Sequence, residues 1–300
     1  MTRLSRQPTL GRDDGRTAAG AGTRPPGAAL GPLLRAWRAR RHVSQHALAL
    51  AADVSQRHLS FIELGTARAS RELVLRLGEQ LDLPLRERNH LLLAAGYAPA
   101  FTDRPFSDPM LAPGRSAVER LLAAQAPAPA LAVDHRWTLL AANATVAPVL
   151  LAGVSAALLR TPVNILRVTL HPEGLGPRIL NGAAWRAGIL GYLERQVSAS
   201  GDPVLRALLG ELREYPPLRD ESSSPGDPAV PAMTPGGGEE VFLPLLLRSA
   251  LGPLTLLSTI TVFATPTAVV LAELLIETFL PADATTAERL RALADPSAAT

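Results

Sequence analysis

The sequence predicts a mixed α and α+β protein of two domains, an all-helical domain in front and a domain built on an antiparallel sheet behind it. Three observations lead there. The chain has 300 residues, more than one compact domain usually takes. Apolar residues from Leu30 to Gly96 recur at helical spacing, broken only by short polar corners. From Arg115 onward the pattern turns to short aliphatic runs with strand-like alternation, separated by helical stretches. With 47% hydrophobic and 19% charged residues the chain can bury a real core, and global disorder is excluded.

Residues 1–29 show no period, contain Pro25 and Pro26 and carry Arg3, Arg6, Arg12, Arg16 and Arg24. They read as a disordered, basic arm. Residues 30–100 form the front domain, five short helices with corners at Val43, Asp53, Gly65 to Ser70 and Leu83 to Pro84. Residues 101–114 hold Pro105, Pro109 and Pro113 and read as a linker. The second domain, 115–294, opens with a helix over Arg115 to Ala124. A hairpin follows, from Ala130 to Asp134 and Trp137 to Ala142, split by His135 and Arg136. Asn143 reads as the cap of a following helix. Helices are expected over Pro177 to Ala199 and Pro203 to Tyr215, each with Pro in the first turn, where its missing N–H costs nothing. Glu221 to Glu240 contains four Pro, four Gly and three Ser, so 221–239 is expected to be a mobile loop. Strands are expected over Glu240 to Leu247, Leu254 to Phe263 and Val269 to Leu280, although Leu271 to Phe279 also fits a helix. Residues 295–300 are a tail.

The segment Ser44 to Gly65 carries the most chemistry. Ser44 and Ser55 can each cap a helix, because a Ser oxygen accepts from the free N–H groups of the first turn. Val54 and Leu59 bracket the second cap as a hydrophobic staple, and a tight turn at Ala52 and Asp53 separates the helices. This is a helix-turn-helix pattern. Turning the second helix at about 100° per residue puts Leu59 and Ile62 on one side and Gln56, Arg57, Ser60 and Phe61 on the other. Arg and Gln in a first turn reach guanine and adenine edges in a major groove, and Phe can pack on a thymine methyl.

On these residues, 30 to 96 resemble the five-helix Cro/C1 or XRE-type DNA-binding domain of phage repressors and bacterial regulators. The resemblance runs without gaps through Gln45, Val54, Ser55, Leu59, Ile62, Glu63 and Gly65. It implies that Gln45 and the capped helix start at Ser55 approach phosphate, that Gln56, Arg57 and Phe61, with Ser60 beside them, face bases, and that Arg68 and Arg71 flank the backbone. Arg38 and Glu63 match a pair that forms an internal salt bridge. Asp53 stands where Gly is usual, and Asp tolerates left-handed backbone better than most residues. A second basic cluster, Arg35, Arg38, Arg40 and Arg41, is either a solvated face or a phosphate contact.

The back domain resembles the PAS-like ligand-binding domain of MmyB-like transcriptional regulators. The motifs are Arg86 to Pro99, Val133 to Asn143, Pro162 to Arg167, Leu170 to Gly174, Trp185-Arg186 and Phe279 to Asp283. The resemblance implies a small-molecule pocket, with an acyl or fatty-acid-like ligand a plausible class. His171, Arg178, Asn181 and Arg186 can place positive or hydrogen-bonding groups against a carboxylate, with Trp185 beside them. Core anchoring is the alternative for Trp137 and Trp185, and a surface or interdomain contact for the polar four.

Much else is excluded. Cysteine is absent, which removes disulfides, thiolate metal sites and thiol nucleophiles. No metal site is expected, since Ser44 as a cap separates His42 from His46. The longest apolar stretch, Val241 to Ala264, is interrupted by Pro244, Arg248, Gly252 and Pro253, so no membrane insertion is read, and residues 1–29 lack a continuous apolar core, so no signal peptide is read there. Glu273 and Glu277 have no basic or nucleophilic partner nearby in sequence, and no catalytic motif or cofactor fingerprint appears. All 30 basic residues are Arg, and residues 1–100 carry 15 of them against 8 acids, an asymmetry that suits a nucleic-acid-facing front. The expectation is a cytoplasmic, nucleoid-associated homodimer that binds a double-stranded DNA operator and senses a small-molecule effector. The alternative is a back domain that only dimerises or docks a partner protein.

Overall fold

The computed structural model describes residues 29–218, 220, 243–264 and 266–294. The expected arm (apart from Ala29), the loop 221–239 and the tail 295–300 lie outside the described residues. The front domain consists of α1 (Leu30–Arg40), α2 (Gln45–Ala51), α3 (Gln56–Leu64), α4 (Arg71–Gln80) and α5 (Leu85–Ala94). Three of these begin at a serine. The hydroxyls of Ser44, Ser55 and Ser70 accept from the N–H of Ala47 at 3.0 Å, His58 at 3.1 Å and Leu73 at 3.2 Å. Leu34, Trp37, Leu48, Leu59, Ile62 and Leu77 are buried at helical spacing and form the core. Helix α1 lies so close to the end of α3 that a Cβ at Gly31 would collide with the Glu63 carbonyl.

The stretch expected as a linker is docked. Asn89 accepts from the N–H groups of Ala100 and Phe101 and donates to the Phe101 carbonyl, Thr102 bridges to Ala268, and Phe106 is buried. After a 3-10 turn at Pro109–Leu111 comes α6 (Ala112–Ala123). The second domain then builds β1 (Ala130–Val133), β2 (Leu139–Ala142), α7 (Ile165–Leu170), α8 (Gly182–Ser200), α9 (Pro203–Glu214), β3 (Leu245–Ser249), β4 (Gly252–Val262), α10 (Val269–Ala272), β5 (Leu275–Pro281) and α11 (Ala284–Ala294). The five strands form one sheet in the order β2-β1-β5-β4-β3, every neighbouring pair antiparallel.

Helices cover both faces of this sheet. Val118 and Leu122 of α6 pack on Ala130, Ala132, Leu274 and Ile276. Leu166, Trp185, Leu193 and Leu209 pack on the opposite face with Leu131, Val133, Leu245, Leu256 and Phe279. Strand β1 is therefore buried on both sides, and all four of its residues are apolar.

Several expected elements take other forms. Asn143 caps no helix. Its side chain accepts from the Ala130 N–H and donates to the carbonyls of Leu122 and Ala128, which stitches α6 to the start of β1. Residues 179–181 are not helical, because Ile179 bridges Leu247 and Asn181 bridges Asp220, so α8 starts at Gly182. The run Val269 to Leu280 splits into one helical turn, α10, and then strand β5. Helix α11 was not expected at all. Asp283 accepts from the Thr286 N–H at its start, a cap that the sequence does display.

Candidate functional site

The sharp turn between α2 and α3 is made by Asp53, at φ 52°. Gly65, at φ 76°, closes α3 in the left-handed conformation that favours glycine. Between these ends Leu59 and Ile62 enter the core, while Gln56, Arg57 and Phe61 are exposed and Ser60 is half-buried. The helix thus carries the four expected base-facing residues on one outer face. Arg57 lies over the Phe61 ring, 5.4 Å from its centre, so the two form one cation-aromatic unit on that face. The Ser55 hydroxyl is occupied as the cap. Gln45 donates to Glu63 Oε2 at 3.1 Å. Glu63, only 3% exposed, also accepts from Arg38 Nε at 2.8 Å and Nη2 at 3.1 Å. This bidentate bond raises the Arg38 pKa and clamps α1 to α3. Arg68 and Arg71 are exposed beyond the end of α3, at the approach to α4.

The basic run on α1 is largely spent on the fold. Arg41 donates to the carbonyls of Leu81 and Asp82, and Arg40 stacks 5.0 Å from the centre of the Trp37 ring and reaches the Ser200 carbonyl.

In the second domain a cavity of about 180 Å³ lies between the sheet and helices α7 and α8. Its lining is mostly apolar and aromatic, with Trp137, Ile165, Trp185, Tyr192, Ile260 and Phe279 prominent. Trp137 and Tyr192 meet edge to face at 5.7 Å, and Trp137 Nε1 donates to Gln196 at 2.8 Å. One acid enters this lining. Glu277 follows the alternation of β5, on the same face as Leu275 and Phe279, and accepts from the Ser258 hydroxyl at 2.7 Å. Although the side chain is only half-buried by its exposed surface, desolvation among apolar neighbours pushes its carboxyl up to about 7, against the opposing effect of the Ser258 bond.

Residues 115–293, which contain the whole of this cavity, match the MmyB-like transcription regulator ligand binding domain. The chain belongs to the MmyB-like transcription regulators. Residues 34–88 of this MmyB-like chain match a helix-turn-helix family, so it is a DNA-binding transcription regulator rather than an enzyme. Among solved structures it is similar to the clp gene regulator ClgR from Corynebacterium glutamicum, at 34% identity over 26% of this chain and 96% of that one, with a TM-score of 0.23. It is also similar to the restriction-modification controller protein C.AhdI from Aeromonas hydrophila, at 27% identity over 21% of this chain and 94% of that one, with a TM-score of 0.20. No curated protein matches it. Among the described residues of the MmyB-like chain, no helix is long and apolar enough to cross a membrane.

Of the residues expected to hold a ligand in this regulator, Trp185 lines the cavity. The other four do not. Arg178 donates to the carbonyls of Val149, Leu150, Ala152 and Arg248. Arg186 donates to those of Leu212, Arg213 and Tyr215. Asn181 ties the Pro244 carbonyl to the Leu246 N–H, and His171 packs against Tyr215 and accepts from the Glu173 N–H. These side chains satisfy backbone groups that burial would otherwise leave unpaired. The four polar side chains therefore lie outside the cavity lining, engaged with backbone groups.

The MmyB-like chain also joins its two domains through charge. Arg86 of α5 binds Glu273 at 3.0 Å and Asp103 at 2.6 Å, and His135 Nδ1 lies 3.1 Å from the same Glu273. Within the second domain, Asp202, at the cap of α9, pairs with Arg136 at 2.8 Å. Glu273 thus has basic partners, which sequence distance hid, while Glu277 meets only the Ser258 hydroxyl.

Proposed function

We propose that this regulator reads double-stranded DNA as a homodimer at the bacterial nucleoid, with Gln56, Arg57, Ser60 and Phe61 toward base edges. Ser55, Gln45, Arg68 and Arg71 then stand at the phosphates on either side. A small, largely apolar molecule in the sheet cavity biases the placement of the two front domains, and so the fit to half-sites about 34 to 36 Å apart. The observation that carries the reading is a preformed apolar cavity in a domain tied by Arg86, Glu273 and His135 to the helix that ends the DNA-binding domain. A dimerisation or partner module needs no such cavity.

Native mass spectrometry of the full-length protein, followed by denaturing extraction, tests the sensing half. A stoichiometric small molecule released from a dimer is the expected result. An empty protein that captures no apolar probe points to a partner-protein role. Deleting 115–300 is expected to weaken operator binding through loss of pairing, and undiminished dimeric binding by the fragment would reject that arrangement.

A further inference from the structure

We propose that the cavity selects a hydrophobic amine over a fatty-acid carboxylate, with the apolar body among Trp137, Trp185 and Phe279 and the ammonium against Glu277. This rests on the reading of the cavity as the effector site.

The argument is an account of its polar groups. Among the described residues the lining contains one acid, Glu277, and neither Arg nor His. Three of its side-chain donors are already committed. The Ser258 hydroxyl donates to Glu277, Thr169 to the Ile165 carbonyl, and Trp137 Nε1 to Gln196. Trp185 Nε1 is sealed within the fold without a partner. That leaves the Tyr192 hydroxyl, whose ionisation burial and Glu277 both oppose. The Arg195 guanidinium packs 5.8 Å from the Tyr192 ring centre but is not part of the lining. A carboxylate here would meet a second acid in a low-dielectric space, with no cation among the described lining residues to offset it. An ammonium meets the reverse. Glu277 Oε1 accepts from Ser258 while Oε2 accepts from none of the described residues, and aromatic faces around it attract a cation.

The elements packed around Glu277 reinforce this. Strand β4 brings Ser258 and Ile260, α7 brings Ile165, Leu166 and Thr169, and α8 brings Trp185, Gly188, Ile189 and Tyr192. Tyr192 is their one titratable side chain. Desolvation pushes the Glu277 carboxyl up to about 7, so an amine must draw it into the ionised form. Amine binding therefore weakens as the pH falls below about 7, whereas carboxylate binding strengthens.

The test uses the full chain and three probes of equal length, hexylamine, hexanol and hexanoate, followed by calorimetry and tryptophan fluorescence. At pH 8 hexylamine is expected to bind at least tenfold tighter than hexanoate, and to lose about tenfold in affinity between pH 8 and pH 6. In Glu277→Gln the advantage of the amine over hexanol should vanish. The pH titration on the unmodified protein keeps the test valid if that variant folds poorly. Equal or tighter binding of hexanoate or hexanol overturns the amine assignment and leaves the cavity as an effector site. If none of the three binds, both fall.

Discussion

Glu277 is an acid held where its charged form is poorly solvated, and this has a consequence for stability separate from any ligand. Its carboxyl stands at 4.5 when unperturbed and about 7 in the fold. Between those values the folded protein holds a proton that the unfolded chain has released, so stability falls as pH rises through that window and levels off above it. The loss should amount to roughly 1 to 3 kcal/mol. Thermal unfolding of wild type and Glu277→Gln at pH 4.5, 6 and 8 checks it. The variant should gain on wild type from the first pH to the last, and a constant gap would show that Glu277 titrates normally. Arg57 is the comparable residue of the front domain. Replacing it with Ala should cost roughly 1 to 3 kcal/mol of operator affinity, concentrated at one base-pair position. A uniform loss across a panel of operator variants, with a shallower salt dependence, would make it a phosphate contact instead.

At the scale of elements, α3 is set by its cap and by its fit against α1. Ser55→Ala removes the acceptor for the His58 N–H and should destabilise the front domain by about 1 kcal/mol in urea unfolding. Gly31→Ala should cost more, roughly 1 to 3 kcal/mol, because the added methyl meets the Glu63 carbonyl, which belongs to backbone and cannot swing aside. A neutral result would mean that α1 slides along α3. These helices were legible in the sequence because caps, staple and apolar period are local, and even the left-handed Asp53 followed from residue type. The back domain was legible as a hairpin and later strands, but not in its layering. Strand β1 is central in the sheet, between β2 and a β5 that comes far later in the chain, and its alanines pack on α6 while Leu131 and Val133 face the cavity layer. The four polar candidates lie outside the cavity lining for a related reason. A sequence displays Arg178, Asn181 and Arg186 as donors, but not the carbonyls that absorb them. Glu277 stands in the sequence without a basic residue nearby, and nothing local shows that the fold turns it into the cavity lining.

For the whole molecule the question is how a cavity in one domain reaches a helix face in the other. The connection runs through few groups. Glu273, just before β5, receives both Arg86 from α5 and His135 from the β1–β2 turn, and it is only 10% exposed in its side chain. Strand β5 continues from there to Glu277 and Phe279 in the cavity wall. A single acid therefore couples the start of the cavity strand to the last helix of the DNA-binding domain. Glu273→Ala leaves Arg86 with Asp103 and His135 with only Asp202, at 3.9 Å, and it touches neither the cavity lining nor α3. The expected result in scanning calorimetry is that unfolding of the two domains separates, with the interdomain link weakened by roughly 1 to 3 kcal/mol. DNA affinity at fixed salt should change little, because the α3 face is intact. If the domains still unfold together, the docked segment around Asn89, Phe101 and Phe106 carries the coupling in place of the charges.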